Sequence, residues 1–441
     1  INLFRKSALN SYSYLDVNDE KKNKENASLE HLALMSSTKI SLAKTDFNLI
    51  YFGQVIDREI PSGLLESPSG AFQNDINHRI FTSLKYRFSN AYVQLKSAYY
   101  DEKNIYTDSV RSVFGNNPCK TFINQFDFSK SINNFNILKI NLTNSLASSN
   151  GNNYLDIAEI NRTSITGSFK VNNPKYRLKH LLTTSLLFDK KYLSPFTFSY
   201  SLKREFHNHF NLYFNAGKVY RFPTINDLFW NPGGNLNLVP EQGYTGDIGI
   251  IWNKKIHKVI FSFEPSLYSR WIDNWILWQP TGSFWSPMNV KKVWNRGLET
   301  SSKVHFINKK ITYDFTLKTA YNLSTNIEVY NSNNNSQDKQ LIYTPHYKLV
   351  FKSQISYKEF TFTYLHNYTG YVFTSRDNEN FLPSFNLGRL FLSCRVKFKN
   401  NSAKIFYKIN NLYNTNYQVV MNRPMPLINH EIGINFKIKN K

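Results

Sequence analysis

Cysteine is almost missing from this 441-residue chain. Cys119 and Cys394 are too few for a disulfide framework and lack the spacing of a metal site. Both read as structural or incidental. Cys394 alternates in phase with Leu390, Leu392, Val396 and Phe398, which puts it on an apolar face. Long apolar runs are missing too: none reaches the roughly 18 residues of a spanning helix, so a helical membrane protein is not expected. No basic n-region with an apolar h-region stands at the start, where Ile1-Asn2-Leu3-Phe4-Arg5-Lys6 leads into polar sequence. The chain reads as mature, cut or incomplete at that end. Acidic residues are scarce, 31 against 54 basic ones, giving a formal net charge of +23. Nucleic acid would suit that balance, yet the lysines form no stripe and no recognition helix or zinc finger accompanies them, so no nucleic-acid partner is expected. Charge facing a polar interior or anionic lipid headgroups explains them as well, as does plain bias toward Lys, Asn and Ile.

Catalytic constellations are absent from the sequence as well. The ten histidines show no HExxH spacing, no GxSxG or phosphate-binding Gly-rich loop occurs, and Gly233-Gly234-Asn235 reads as a turn. Lone carboxylates such as Asp227 and Asp273 read as solvated loop groups rather than general acids. Neither an enzyme nor a cofactor or metal site is expected.

What the chain does have is aromatic residues, 16% of it, in a sequence whose mean hydropathy is that of a polar protein. A membrane barrel has this composition, with one apolar face, one polar face and two aromatic girdles. Period-two alternation agrees. Phe360, Phe362, Tyr364, His366 and Tyr368 share one face while Thr361, Thr363, Asn367 and Thr369 take the other, and Ile432, Ile434, Phe436 and Ile438 alternate with Gly433, Asn435, Lys437 and Lys439. The same pattern predicts about twenty strands. They lie near 3–15, 27–42, 47–57, 77–87, 92–103, 120–129, 135–146, 156–170, 177–188 and 194–203, then near 209–220, 244–252, 258–278, 290–306, 311–326, 342–355, 359–373, 386–398, 402–412 and 428–438.

The connections alternate in length, as periplasmic turns and external loops do in an outer-membrane barrel. Short ones fall near 43–46, 88–91, 130–134, 171–176, 204–208, 253–257, 307–310, 356–358 and 399–401. Long ones fall near 16–26, 58–76, 104–119, 147–155, 221–243, 279–289, 327–341, 374–385 and 413–427. The connection near 189–193 should be external but is short. The expected fold is all-β, a transmembrane antiparallel β-barrel spanning 1–441, and twenty strands also suit a larger barrel lacking its first hairpin.

The external loops are where a binding surface is expected. Trp230, Trp278 and Trp285 lie at or near the ends of two successive long loops, where they either line a ligand mouth or pack the loops together. Asn231, Asn235 and Asn237 either bond a polar ligand or satisfy loop backbone. Asp227 belongs to the same candidate set. Glu299 alternates with Gly297, Ser301, Lys303 and His305, so Glu299 and Lys303 should face the interior, where a buried carboxylate would need a partner.

Four motifs then coincide in order. Arg221-Phe222-Pro223-Thr224 with Asp227-Leu228-Phe229, followed by Gly234-Asn235-Leu236-Asn237-Leu238-Val239-Pro240-Glu241, resembles a signature of the TonB-dependent outer-membrane receptors. Asn289-Val290 with Arg296-Gly297-Leu298-Glu299, Tyr343-Thr344-Pro345-His346, and Asn410-Asn411-Leu412-Tyr413-Asn414-Thr415-Asn416-Tyr417 are similar to three further strand motifs of that family. The departures are Leu236 and Val239 for the usual Pro and Lys, Pro424-Met425-Pro426-Leu427 without the Gly-Arg that usually follows, and Ile438-Lys439-Asn440-Lys441 in place of a terminal aromatic. The resemblance implies a 22-stranded receptor barrel whose plug domain, first hairpin and TonB-contacting segment lie outside this sequence. The run from Tyr268 to Trp278 and Trp285-Ser286-Pro287-Met288-Asn289 are most similar to the cobalamin-receptor branch. The implied function is TonB-energised uptake of a scarce, bulky small-molecule nutrient, best read as cobalamin, with siderophore or haem as the nearest alternative. A plugless passive pore or adhesion barrel is the alternative from another class. Implied partners are the outer-membrane lipid, the TonB complex and a surface lipoprotein lid.

Overall fold

The computed structural model describes residues 1–154, 157–190, 192–207, 209–282, 284–329, 335–399 and 401–437. The expected last-strand residues Ile438 and Lys439 lie outside them, as do 330–334 in the connection expected near 327–341. In chain order the elements begin with β1 (Asn2–Ala8), β2 (Ser13–Leu15), β3 (Lys21–Asn23), β4 (Leu29–Ser41), β5 (Thr45–Ile60), β6 (Ala71–Arg87), β7 (Ala91–Asp108), β8 (Val113–Ser131) and β9 (Asn136–Ser149). Next come β10 (Ala158–Asn173), β11 (Leu178–Asp189), β12 (Thr197–His207), β13 (Phe210–Arg221), the short helix α1 (Ile225–Phe229), β14 (Glu241–Ile256), β15 (Val259–Thr281), β16 (Phe284–Asn308) and β17 (Ile311–Glu328). The last are β18 (Tyr347–Tyr357), β19 (Phe360–Thr369), β20 (Val372–Phe373), β21 (Phe381–Leu382), β22 (Phe385–Phe398), β23 (Asn401–Asn410), β24 (Gln418–Val420), β25 (Arg423–Pro424) and β26 (Asn429–Lys437).

Twenty strands form one antiparallel sheet, while β2–β3, β20–β21 and β24–β25 are separate two-stranded ribbons within long connections. Each of the twenty expected strand segments overlaps a strand of this sheet, although 3–15 and 359–373 run on into the separate ribbon strands β2 and β20 and 342–355 begins before β18. Alternation is why they form: successive side chains point to opposite faces, so adjacent register rows differ in character. One row runs Leu267, Leu298, Tyr321 and Tyr347, and the next runs Ser266, Glu299, Ala320 and Lys348. The apolar row faces a solvent other than water, because Leu267, Leu298 and Tyr347 are all exposed. Cys394 stands in such a row between Phe360 and Ile405, and both cysteines are free thiols.

Two connections expected as loops are mostly strand. The ladder of β7 and β8 continues to the pair Asp108 and Val113, so 104–119 is a hairpin with residues 109–112 at its tip. That of β15 and β16 continues to Thr281 and Phe284, so 279–289 is the end of a ribbon. The reason is physical. Period-two patterning marks a strand only while one face is apolar and the other polar, and past that band the two faces lose their contrast while backbone pairing continues. The connection expected near 189–193 spans 190–196, closer in length to its external counterparts. The first expected strand ends early: β1 stops at Ala8, Asn10 turns the chain with φ +49°, and 13–15 pairs with 21–23 instead.

Candidate functional site

β13 ends at Arg221 and β14 begins at Glu241, and these two are register partners. Glu241 accepts from Arg221 Nε at 2.6 Å and Nη2 at 2.7 Å, a bidentate fork of the strong, charge-assisted kind. Its Oε1 also accepts from the backbone N–H of Ile276 on β15, at 2.7 Å. The loop 222–240 is therefore pinned at both feet and to the neighbouring strand. Within it, Thr224 caps α1: Asp227 N–H donates to Thr224 Oγ1 at 3.2 Å while Thr224 N–H donates to Asp227 Oδ2 at 2.8 Å. A helix this short is not stable alone, so the loop's docking must hold it. Asp227 Oδ1 accepts from Trp278 Nε1 on β15 at 2.7 Å, and Arg221 Nη1 lies 3.8 Å from Oδ2.

Further ties fix the loop along the β15–β16 ribbon. Ser286 Oγ donates to Gly233 O at 2.6 Å, and Asn235 Nδ2 donates to Pro287 O at 3.3 Å. Asn289 clasps Val239 from both sides, accepting from its N–H and donating to its carbonyl, each at 3.0 Å. It also donates at 2.7 Å to the carbonyl of Asn274, whose φ of +57° marks a gap in the β15–β16 ladder across which the register is unchanged. Gly233, at φ +122°, lets the loop backbone approach so closely that a Cβ there would stand 2.3 Å from Trp285 O. Phe222, Leu238, Ile272, Ile276 and Val293 are buried beneath. On the other side Tyr154 packs edge-on against Trp230, centroids 5.6 Å apart, and its hydroxyl donates to Asn226 Oδ1 at 2.7 Å. Burial pushes the Tyr154 phenol up to about 12, so it stays a donor.

The side chains of four of the six candidate loop residues thus serve the loop itself, and Asn231 does so through its backbone. Asp227, expected as a solvated carboxylate, is 5% exposed, because it answers both the helix cap and an indole 51 residues away. Trp285 stands in a strand rather than a loop, opposite Pro280, and Trp278 stands opposite Pro287 within the strand expected over 258–278. Trp230 packs on Tyr154, Asn235 accepts from Asn237 N–H at 2.9 Å besides its bond to Pro287, and the backbone N–H of Asn231 donates to Asn153 O at 2.8 Å. The side chain of Asn231 is exposed, and Trp285 is 44% exposed. Glu299 and Lys303 share the polar face of β16. Lys303 lies 3.8 Å from Glu264, and Glu299 is exposed with no cation at ion-pair distance among the described residues, so the buried carboxylate expected there is a solvated one.

The loop residues whose part went unseen in sequence are Arg221, Glu241 and Asn289, which had entered only as motif letters. Thr224-x-x-Asp227 is a capping pattern that local reading could have found. A second cluster joins loops 9–28, 61–70 and 411–428. Glu66 binds Arg423 at 2.8 Å and lies 3.6 Å from Arg111, Leu64 N–H donates to Asn422 O at 2.7 Å, and Leu427 N–H to Ser13 O at 3.0 Å. Nothing in the sequence separates its Lys24 from the other basic residues.

A family model described as TonB dependent receptor-like, beta-barrel, matches residues 44–412. The vitamin B12 transporter BtuB of Vibrio vulnificus (strain YJ016) is 32% identical over 87 residues, a stretch covering 19% of this chain and 14% of that protein. Among solved structures, the FrpB iron transporter from Neisseria meningitidis superposes with a TM-score of 0.77 at 11% identity, covering 98% of this chain and 76% of that one. The siderophore receptor PiuA from Acinetobacter baumannii gives 0.73 at 14%, with 98% and 76% covered. With a twenty-stranded antiparallel sheet, these motifs and a family match over most of its length, the chain belongs to the TonB-dependent receptor-like β-barrels of the outer membrane.

Proposed function

We propose that this barrel is the membrane part of a receptor that captures a scarce, bulky nutrient outside the cell and passes it inward when the TonB complex supplies energy. Cobalamin is the ligand we assign. One observation carries the reading: loop 222–240 is bound rigidly to the β15–β16 ribbon and leaves Trp285 and the Asn231 side chain exposed beside it. A large rigid ring beside adaptable amides on a fixed support suits a large, polar, partly apolar ligand such as a corrinoid. The partial match to a vitamin B12 transporter supports that choice. In this scheme Glu299 and Lys303 line the lumen below, contact with TonB comes through a segment outside the sequence, and a surface lipoprotein serves as lid.

Iron-siderophore or haem uptake is the second reading, supported by the likeness to FrpB and PiuA. The discriminating experiment is direct binding of cyanocobalamin and of ferric siderophores to the full-length protein in detergent, followed by uptake in cells with and without TonB. Saturable cobalamin binding with TonB-dependent uptake supports the first reading, and siderophore binding alone replaces it with the second. TonB-independent conductance of the purified chain in a planar bilayer, with neither ligand bound, would leave a passive pore.

A further inference from the structure

Lys24 is 4% exposed, yet no carboxylate lies within 4 Å of its ammonium among the described residues. The basic side chains nearest it in this loop cluster are paired, Lys22 with Asp16, Arg111 with Asp108 and Arg423 with Glu66, while Lys21 is exposed to solvent. Lys24 Nζ donates to the backbone carbonyl of Ser62 at 2.6 Å and stands 4.8 Å from the centroid of the Tyr14 ring. An ammonium has three donors, so two N–H groups remain after that bond. An unpaired buried cation is expensive to keep, and such groups cluster at binding sites. The surroundings bear this out: burial, with the Arg423 guanidinium nearby, holds the Lys24 ammonium below the usual lysine range.

Lys24 also lines a cavity of about 650 Å³ between loops 9–28 and 61–70, with Tyr14, Asn26, Leu64 and Ser69 among its walls. That volume is in the range of small-molecule sites. Glu25 and Glu66 stand on the same lining, so a dianion such as phosphate would meet repulsion there, whereas a single carboxylate can take the two remaining N–H groups of Lys24. We propose that this cavity is a second ligand site, binding the carboxylate of a small polar organic molecule with Lys24 as its counter-ion. The proposal rests on the uptake reading only for the side of the membrane on which the cavity opens.

The test uses the 441-residue chain refolded in detergent, with gluconate as probe, sorbitol as its uncharged counterpart and inorganic phosphate as the dianion. Calorimetry should show saturable gluconate binding and none of sorbitol. Phosphate binding as tightly as gluconate would overturn the carboxylate assignment. Lys24→Met should weaken gluconate by about tenfold or more, the loss of a charge-assisted bond, while Lys24→Arg retains most of it and Lys21→Met, outside the cavity lining, changes nothing. Because Lys24→Met also removes the tie to Ser62, amine acylation of the unmodified protein supplies a readout independent of folding. Gluconate should protect Lys24 and leave the exposed Lys21 reactive, as read by peptide mass spectrometry. Unprotected Lys24, or equal binding by Lys24→Met, would overturn the proposal. Neither result bears on cobalamin uptake, which the cellular assay measures separately.

Discussion

Two groups of loops cap the same sheet and are held in opposite ways. At loop 222–240 the polar groups that anchor it are answered: Arg221 by Glu241, Asp227 by Trp278 and Thr224, Asn289 by both polar atoms of Val239. In the cluster of loops 9–28, 61–70 and 411–428 the ties are also numerous, but one buried ammonium keeps donors free. The first arrangement supplies a support, the second leaves a function for something outside the chain. A family signature in sequence therefore marks where a fold is braced, and need not mark where it binds.

The largest break in this contrast should come from Glu241→Ala. It strands the Arg221 guanidinium and the Ile276 N–H together, at a cost of about 3 kcal/mol of local stability, reduced somewhat because Arg221 is half exposed. Faster hydrogen exchange across 222–240 and 272–278, with 9–28 unchanged, would show it. Gly233→Ala follows at about 2 kcal/mol, since it forces a side chain into positive φ against Trp285 O. A midpoint shift in urea unfolding of the refolded barrel measures it, and an unchanged midpoint would mean the loop yields there. Asp227→Asn should cost about 1 kcal/mol through the weakened cap and change Trp278 emission without unfolding the barrel.

The Lys24 side should respond to pH instead. With its folded-state proton affinity lowered, the native chain holds fewer protons than the unfolded one, so stability rises as pH climbs toward the usual lysine range. Proteolysis within 9–28 should therefore slow as pH rises toward the usual lysine range, relative to Lys24→Met, in which that gain vanishes. The smallest stability effect belongs to Trp285→Ala, within about 0.5 kcal/mol, because the ring is exposed. The same change should weaken cobalamin binding about tenfold if the ring is a ligand contact. Unaltered affinity would return Trp285 to packing.

Much of the fold was legible because alternation is a local signal. Phe360 to Tyr368 announce a strand by themselves, and counting such segments reached the twenty strands of the sheet. The ribbon ends were not legible. Trp285 lies in the expected connection 279–289, where loop 222–240 packs on the ribbon and the alternation fades, so only its ladder partner Pro280 shows it is strand. The site was legible as a motif and illegible as an environment. Asp227 could be seen as conspicuous, but its burial depends on an indole delivered by a different strand. Lys24 is harder still, one cation among 54 basic residues, distinguished only by what fails to stand beside it.

The brace along β15 and β16 reaches almost to its tip, since Gly233 O accepts from Ser286 Oγ four residues after the turn glycine Gly282. A free two-stranded ribbon would fray in water and have to be ordered by whatever it grasped. Here folding has already removed that freedom. A molecule arriving at Trp285 meets a surface whose conformational entropy is gone before contact, so little of its interaction energy is diverted into ordering the protein, and selectivity can rest on shape.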